Sequence, residues 1–190
     1  MTTKVSSYLT SLLLAATFAV ANPPPVLDPV SPPVEGARLS SKVVLVVDCS
    51  GSMAAAHEEA IRMAVGMAEA SSDAYQVHCV AFETLAVAWP AGWQDMPSAD
   101  VTPKLRKWLK SKAPDNGITN ATGALAVAAD LHPDASVILI TDGEFTSPLV
   151  LPKGMRLAVL QVGDNARGTA KLQEYTHLFS LGWYRPAKAQ

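Results

Sequence analysis

Asp48, Ser50 and Ser52 alternate along the stretch Asp48-Cys49-Ser50-Gly51-Ser52, which therefore offers one carboxylate and two neutral hydroxyls close together. Donors of this kind suit a hard divalent cation. Mg²⁺ prefers oxygen ligands, holds near-octahedral geometry at about 2.0–2.1 Å and keeps several waters, so a few protein oxygens are enough. Hydroxyls neutralise little of the ion's charge and leave it receptive to a further anion. The same residue types also suit a helix start, with Ser50 and Ser52 taking the first free N–H groups and Asp48 favoured by the positive helix end. The pentapeptide alone leaves both roles open.

The flanking elements say where these groups must stand. After Lys42, residues 43–47 are a continuous apolar, mostly β-branched run, so 42–47 has the pattern of a strand buried on both faces of a parallel sheet, and this puts Asp48 at its carboxyl end. Loops at that end of open α/β sheets bind ligands. A second apolar run, residues 136–141, also ends in an acid, in Asp142-Gly143-Glu144, and Gly117-Ile118-Thr119 precedes a helical pattern between the two. Asp142-Gly143 could serve as a simple turn, but a hairpin turn is out of place where the next strand is expected to be parallel, and this favours a metal role.

These three segments, in this order and spacing, resemble the von Willebrand factor type A domain over roughly residues 41 to 184. The resemblance implies a metal-ion-dependent adhesion site with Asp48, Ser50, Ser52, Thr119 and Asp142 at its five positions, none substituted. It implies an α/β, doubly wound, Rossmann-like three-layer sandwich whose mostly parallel six-stranded sheet is ordered 3-2-1-4-5-6 with one antiparallel edge strand. It also implies Mg²⁺, or Mn²⁺ or Ca²⁺. Ser50, Ser52 and, depending on state, Thr119 or Asp142 would touch the ion, and the remaining acids would act through waters. The open coordination position would take an aspartate or glutamate carboxylate from a partner protein. The function expected is an exported, metal-dependent binding module and not an enzyme. Two other roles are a metal-assisted hydrolase, for which Glu144 is the nearby acid left to serve as base, and a metal-free structural domain.

With 190 residues, 49% of them apolar, the chain suits one domain with a sizeable core. A formal charge of −2 gives no case for nucleic acid or an anionic membrane surface. Lys4, the apolar stretch 9–20 and the small-x-small Ala19-Val20-Ala21 together read as a signal peptide over 1–21, cut after Ala21, so the mature chain has no membrane span and is secreted or periplasmic. Pro23, Pro24, Pro25, Pro29, Pro32 and Pro33 make 22–41 a semi-rigid spacer. The domain then covers 42–185, with 186–190 a tail.

Within the domain, a helix is expected over 53–70 and a hairpin from runs 75–83 and 84–89, with Trp89 and Trp93 as packing residues. A helix from near Val101 buries Val101, Leu105, Trp108 and Leu109 and exposes Lys104, Arg106, Lys107, Lys110 and Lys112. Leu125, Ala128, Ala129 and Leu131 mark the next helix. Residues 145–154, with Pro148 and Pro152, are too short for an ordinary parallel crossover and must form an irregular loop or a single turn. A strand over 155–162, a helix over 170–178 and a final strand over 179–184 complete the pattern. His57-Glu58 lacks the second histidine of a zinc protease, since Ile61 stands there, and His57, His78, His132 and His177 show no metal spacing. Cys49 and Cys79 read as two buried thiols, with a disulfide as the alternative in an oxidising compartment.

Overall fold

Residues 43–47 carry apolar side chains without alternation because both faces of their strand are covered. The computed structural model describes residues 26–70, 75–96, 98–112, 114 and 117–186. The expected leader with its cut after Ala21, the start of the spacer and the tail beyond 186 lie outside them. The strands are β1 (Leu27–Ser31), β2 (Lys42–Asp48), β3 (Tyr75–Phe82), β4 (Ala86–Ala88), β5 (Gln94–Met96), β6 (Ser136–Thr141), β7 (Arg156–Gln161) and β8 (Trp183–Pro186). The helices are α1 (His57–Glu69), α2 (Val101–Lys110), α3 (Ala121–Leu131) and α4 (Ala166–Glu174).

The strands form one sheet in the order β1-β8-β7-β6-β2-β3-β4, with β5 also beside β3. Strands β3, β2, β6, β7 and β8 are parallel. The α/β three-layer class is as expected, but the strand order differs in detail. The six expected strands keep the order 3-2-1-4-5-6, here β4-β3-β2-β6-β7-β8, and two short strands are added. Instead of one antiparallel strand there are three: β1 on β8, and β4 and β5 on β3.

The first addition lies inside the expected 22–41 spacer, where Leu27–Ser31 is an edge strand paired with β8 and not a free-standing spacer segment. Prolines are tolerated at an edge, where one side of the strand needs no ladder. The register shifts between Pro29 and Ser31. The following turn is also tied down, with Val34 N–H on the Ser180 carbonyl at 3.0 Å and Ser40 N–H on the Ser136 hydroxyl at 2.8 Å.

Side chains alternate across the sheet. Val43, Leu45 and Val47 join Ile138, Ile140 and Leu160 in a core under α1 and α2. Val44 and Val46 join Val137, Leu139 and Val159 under α3 on the other face. Helix α3 presents Ala121, Ala124, Leu125 and Ala128, whose small side chains let it lie close to the strands. Between β6 and β7 the crossover 142–155 contains neither helix nor strand. Phe145 and Leu149 fill the layer where a helix would otherwise pack. The hydroxyl of Thr122 pins this loop to α3 by donating to the Pro148 carbonyl at 2.9 Å and accepting Val150 N–H at 3.0 Å.

The tryptophans pack, as expected. Trp89 is buried against Trp108, and Trp93 meets His78 and His132 edge-on at 5.4 and 5.9 Å. Helix α4 starts four residues earlier than expected, at Ala166, because the Asn165 side chain caps it by accepting Gly168 N–H at 3.0 Å. The last strand is later than expected, at 183–186. Among the described residues no helix is long and apolar enough to cross a membrane.

Candidate metal centre

Strand β2 delivers Asp48 to the carboxyl end of the sheet with no exposed surface. Its Oδ1 accepts Ser50 N–H at 2.9 Å and its Oδ2 accepts the Thr141 hydroxyl at 2.7 Å. Thr141 Oγ1 in turn accepts Gly143 N–H at 3.0 Å, so the end of β2 and the loop after β6 are held through one hydroxyl. Both Asp48 oxygens are thus occupied by protein donors, and the carboxylate is oriented before any ligand arrives.

After Asp48 the chain enters a 3₁₀ turn over Gly51–Ala55. Ser50 is the residue before it, yet its side chain makes no cap hydrogen bond. Instead Ser50 Oγ lies 3.2 Å from Ser52 Oγ, with Ser50 buried and Ser52 exposed. The two hydroxyls converge, which is not what simple helix capping would produce.

Asp142 is 2% exposed at the end of β6. Its Oδ1 accepts Glu144 N–H at 3.0 Å, and Asn165 Nδ2 donates to its Oδ2 at 3.4 Å. Thr119 is also buried and is tied to the loop that follows Asp142. Its N–H donates to the Thr146 hydroxyl at 2.9 Å, and its carbonyl accepts Thr146 N–H at 3.4 Å. On the other side, Asn120 N–H donates to the Glu83 carbonyl just beyond β3, at 2.9 Å. Asp48, Ser50, Ser52, Thr119 and Asp142 therefore all stand at one end of the sheet.

Burial pushes the Asp48 carboxyl up to about 6; the Ser50 and Thr141 bonds pull it down and the nearby Asp142 charge adds to the rise. Among the described residues no lysine or arginine forms an ion pair with either carboxylate. Nor do three or more His, Cys, Asp or Glu cluster there. Two buried carboxylates beside neutral hydroxyls, in no ion pair among the described residues, fit a hard divalent ion that takes oxygen donors. They do not suit a softer metal that would need imidazole or thiolate.

Cys49 and Cys79 are free and buried. Register explains why they cannot bridge: Cys79 lies opposite Leu45, whereas Cys49 follows Asp48, which lies opposite Phe82. An offset of at least three residues is about 10 Å along a strand, beyond the reach of a disulfide. Burial pushes the Cys49 thiol up to about 12.

The residues that orient the site were not among those singled out from sequence. Thr141 looks like one more strand residue, and Asn165 lay outside the expected helix. Asn165 both caps α4 and faces Asp142, so Asn165→Ala is expected to cost about 1 kcal/mol in urea unfolding. Amide exchange should quicken first at Gly168 and its neighbours in α4.

Beside Asp142 opens a cavity of about 340 Å³ lined by Glu144, Phe145, Thr146, Arg167 and Lys171.

Residues 43–144 match the family model of the von Willebrand factor type A domain. No curated protein matches the sequence. Two of the solved structures that are similar share the fold over most of their length. One is an aerotolerance-related membrane protein from Bacteroides fragilis NCTC 9343, solved with multiple mutations to serines, at a TM-score of 0.57 and 19% identity, covering 77% of this chain and 91% of that one. The other is the conserved hypothetical protein BatB from Bacteroides thetaiotaomicron, at 0.57 and 18%, covering 78% and 91%. At such identities the likeness is one of fold.

Proposed function

The chain belongs to the von Willebrand factor type A domain family, and from that premise we propose that it is an exported, divalent-metal-dependent protein-binding module that captures a partner's carboxylate. The observation that carries this is the pair of buried carboxylates, Asp48 and Asp142, in no ion pair among the described residues and beside converging serine hydroxyls. Mg²⁺, or Mn²⁺ or Ca²⁺, is the ion such donors would hold at a metal-ion-dependent adhesion site. When bound it supplies a Lewis-acidic centre that an incoming aspartate or glutamate carboxylate completes.

In this reading each residue of the chain has a distinct task. Ser50, Ser52 and Thr119 offer neutral oxygens, which keep the ion electron-poor. Asp48 spends both oxygens on Ser50 N–H and Thr141, which suits a role through waters. Asp142 is set by Glu144 N–H and Asn165. Recognition rather than turnover is the task proposed. Export rests on the apolar run and the small-x-small site near Ala21.

The test is thermal unfolding of the chain from Asn22 onward in EDTA and in rising Mg²⁺ or Mn²⁺. A metal that binds only the folded state adds about 2.7 kcal/mol at a hundredfold excess over its dissociation constant. The rise should be absent in Asp48→Ala. No rise in the parent protein at about 10 mM of any of the three ions would overturn the metal reading.

A further inference from the structure

We infer that the cavity beside Asp142 is a second, cationic subsite that receives another carboxylate of the same partner segment, so that the partner is acidic at two nearby positions. This rests on the carboxylate-binding reading of the metal centre. Arg167 and Lys171 stand four residues apart on α4 and therefore share one helix face, turned into the cavity. Neither side chain makes an ion pair or a hydrogen bond among the described residues. Some other cations of the domain are engaged, Arg62 with Glu59, Lys110 with Glu58, and Arg185 with Gln161 and Thr169, while Lys104 and Lys107 are exposed on α2 and line no such cavity. The chain as a whole is slightly acidic, so two unpaired cations on one wall of a cavity are a local feature and not the product of general basicity.

The far wall carries Glu144, whose backbone is held by Asp142, and buried Phe145 packs against Tyr175. One carboxylate against two cations leaves a net positive cavity that accepts one more anion without repelling it. Its volume of about 340 Å³ admits a carboxylate side chain with part of its backbone. Glu144 follows Asp142 by two residues, at most about 7 Å of chain, so an extended partner segment reaches both places with carboxylates only a few residues apart. Arginine's planar fork adds a bidentate preference for carboxylate.

Fluorescence anisotropy tests this with a labelled glycine-serine peptide carrying one aspartate and a matched set with a glutamate added at successive positions on either side. In saturating Mg²⁺ at low salt, one spacing should tighten binding about tenfold. That gain should vanish in the Arg167→Ala, Lys171→Ala double variant and shrink as salt rises, while binding of the single-aspartate peptide stays unchanged. Lys171→Glu should weaken the two-carboxylate peptide below the single-aspartate one. If no spacing tightens binding, or if the gain survives the double variant, the subsite is overturned. If the gain appears equally in EDTA and still depends on Arg167 and Lys171, the subsite stands and the metal reading alone fails.

Discussion

In metal-free buffer Asp48 is expected to add about 3 kcal/mol to folding stability as the pH falls from about 7 to about 4. Burial holds its carboxyl at about 6 in the folded protein, against 3.8 when exposed. Between these values the folded state keeps the proton and the unfolded chain does not, so the contribution is complete below the lower value and is lost as pH rises through the upper one. At neutral pH the apo protein thus carries an unfavourable buried charge. Asp48→Asn should remove this part of the pH profile and raise neutral stability by about 2 kcal/mol, because the amide serves only one of the two donors, Ser50 N–H and Thr141, at a cost of about 1 kcal/mol. Saturating Mg²⁺ should reverse the ranking, since the cation favours the carboxylate. Urea unfolding at several pH values, with the variant as the baseline for other acids, reads the difference. Superimposable profiles for parent and variant would show that Asp48 carries no such burden.

Gly168→Ala is expected to cost 3 kcal/mol or more, about the upper range for an overpacked site, and to abolish the response to metal. A Cβ there would fall onto the carbonyl oxygen of Asp142, with the carbonyl carbons of Asp142 and Gly143 at 2.9 and 3.2 Å. These are backbone atoms, so no side-chain rotamer relieves the clash. On the facing loop Gly143 has φ +88°, and a Cβ on it would meet the Gly168 carbonyl oxygen at 2.6 Å. Helix α4 lies directly on the loop that aims Asp142 because both surfaces lack side chains. Gly92→Ala is the control: its φ is +69° but nothing lies within 4 Å, so only the conformational cost of about 1 kcal/mol applies. Equal losses in the two variants would refute the close approach.

The legible parts of the molecule were those whose signal is local. Strands β2 and β6 show as apolar runs because each is covered on both faces, and Pro148 and Pro152 announce the missing crossover helix. Strand β1 was hidden because its prolines argue locally for a spacer, while the pairing that makes it a strand lies at the far end of the chain, on β8. The oxygen donors of Asp48, Ser50 and Ser52 can be recognised by spacing. Their orienters cannot, since Thr141 reaches Asp48 across 93 positions and Asn165 reaches Asp142 across 23. Likewise the burial of Phe145 and Leu149 follows from the space left by an absent helix, which no periodicity in 145–154 reports.

Strand β1 also sets which way the domain faces when it is held. Leu27 lies opposite Pro186, and β8 runs parallel to β7 and β6, so residues 26 and 186 leave the sheet side by side at the same end as Asp48. Three strand spacings separate β2 from β8, about 14 Å. Polypeptide joined at either point therefore emerges at the sheet end that carries Asp48, not at the opposite one. Under the proposed function, a domain suspended from either point looks back along its own leash, so a partner taken at Asp48 must come in from the flank or be rooted in the same place, and leash length becomes a filter on partner size.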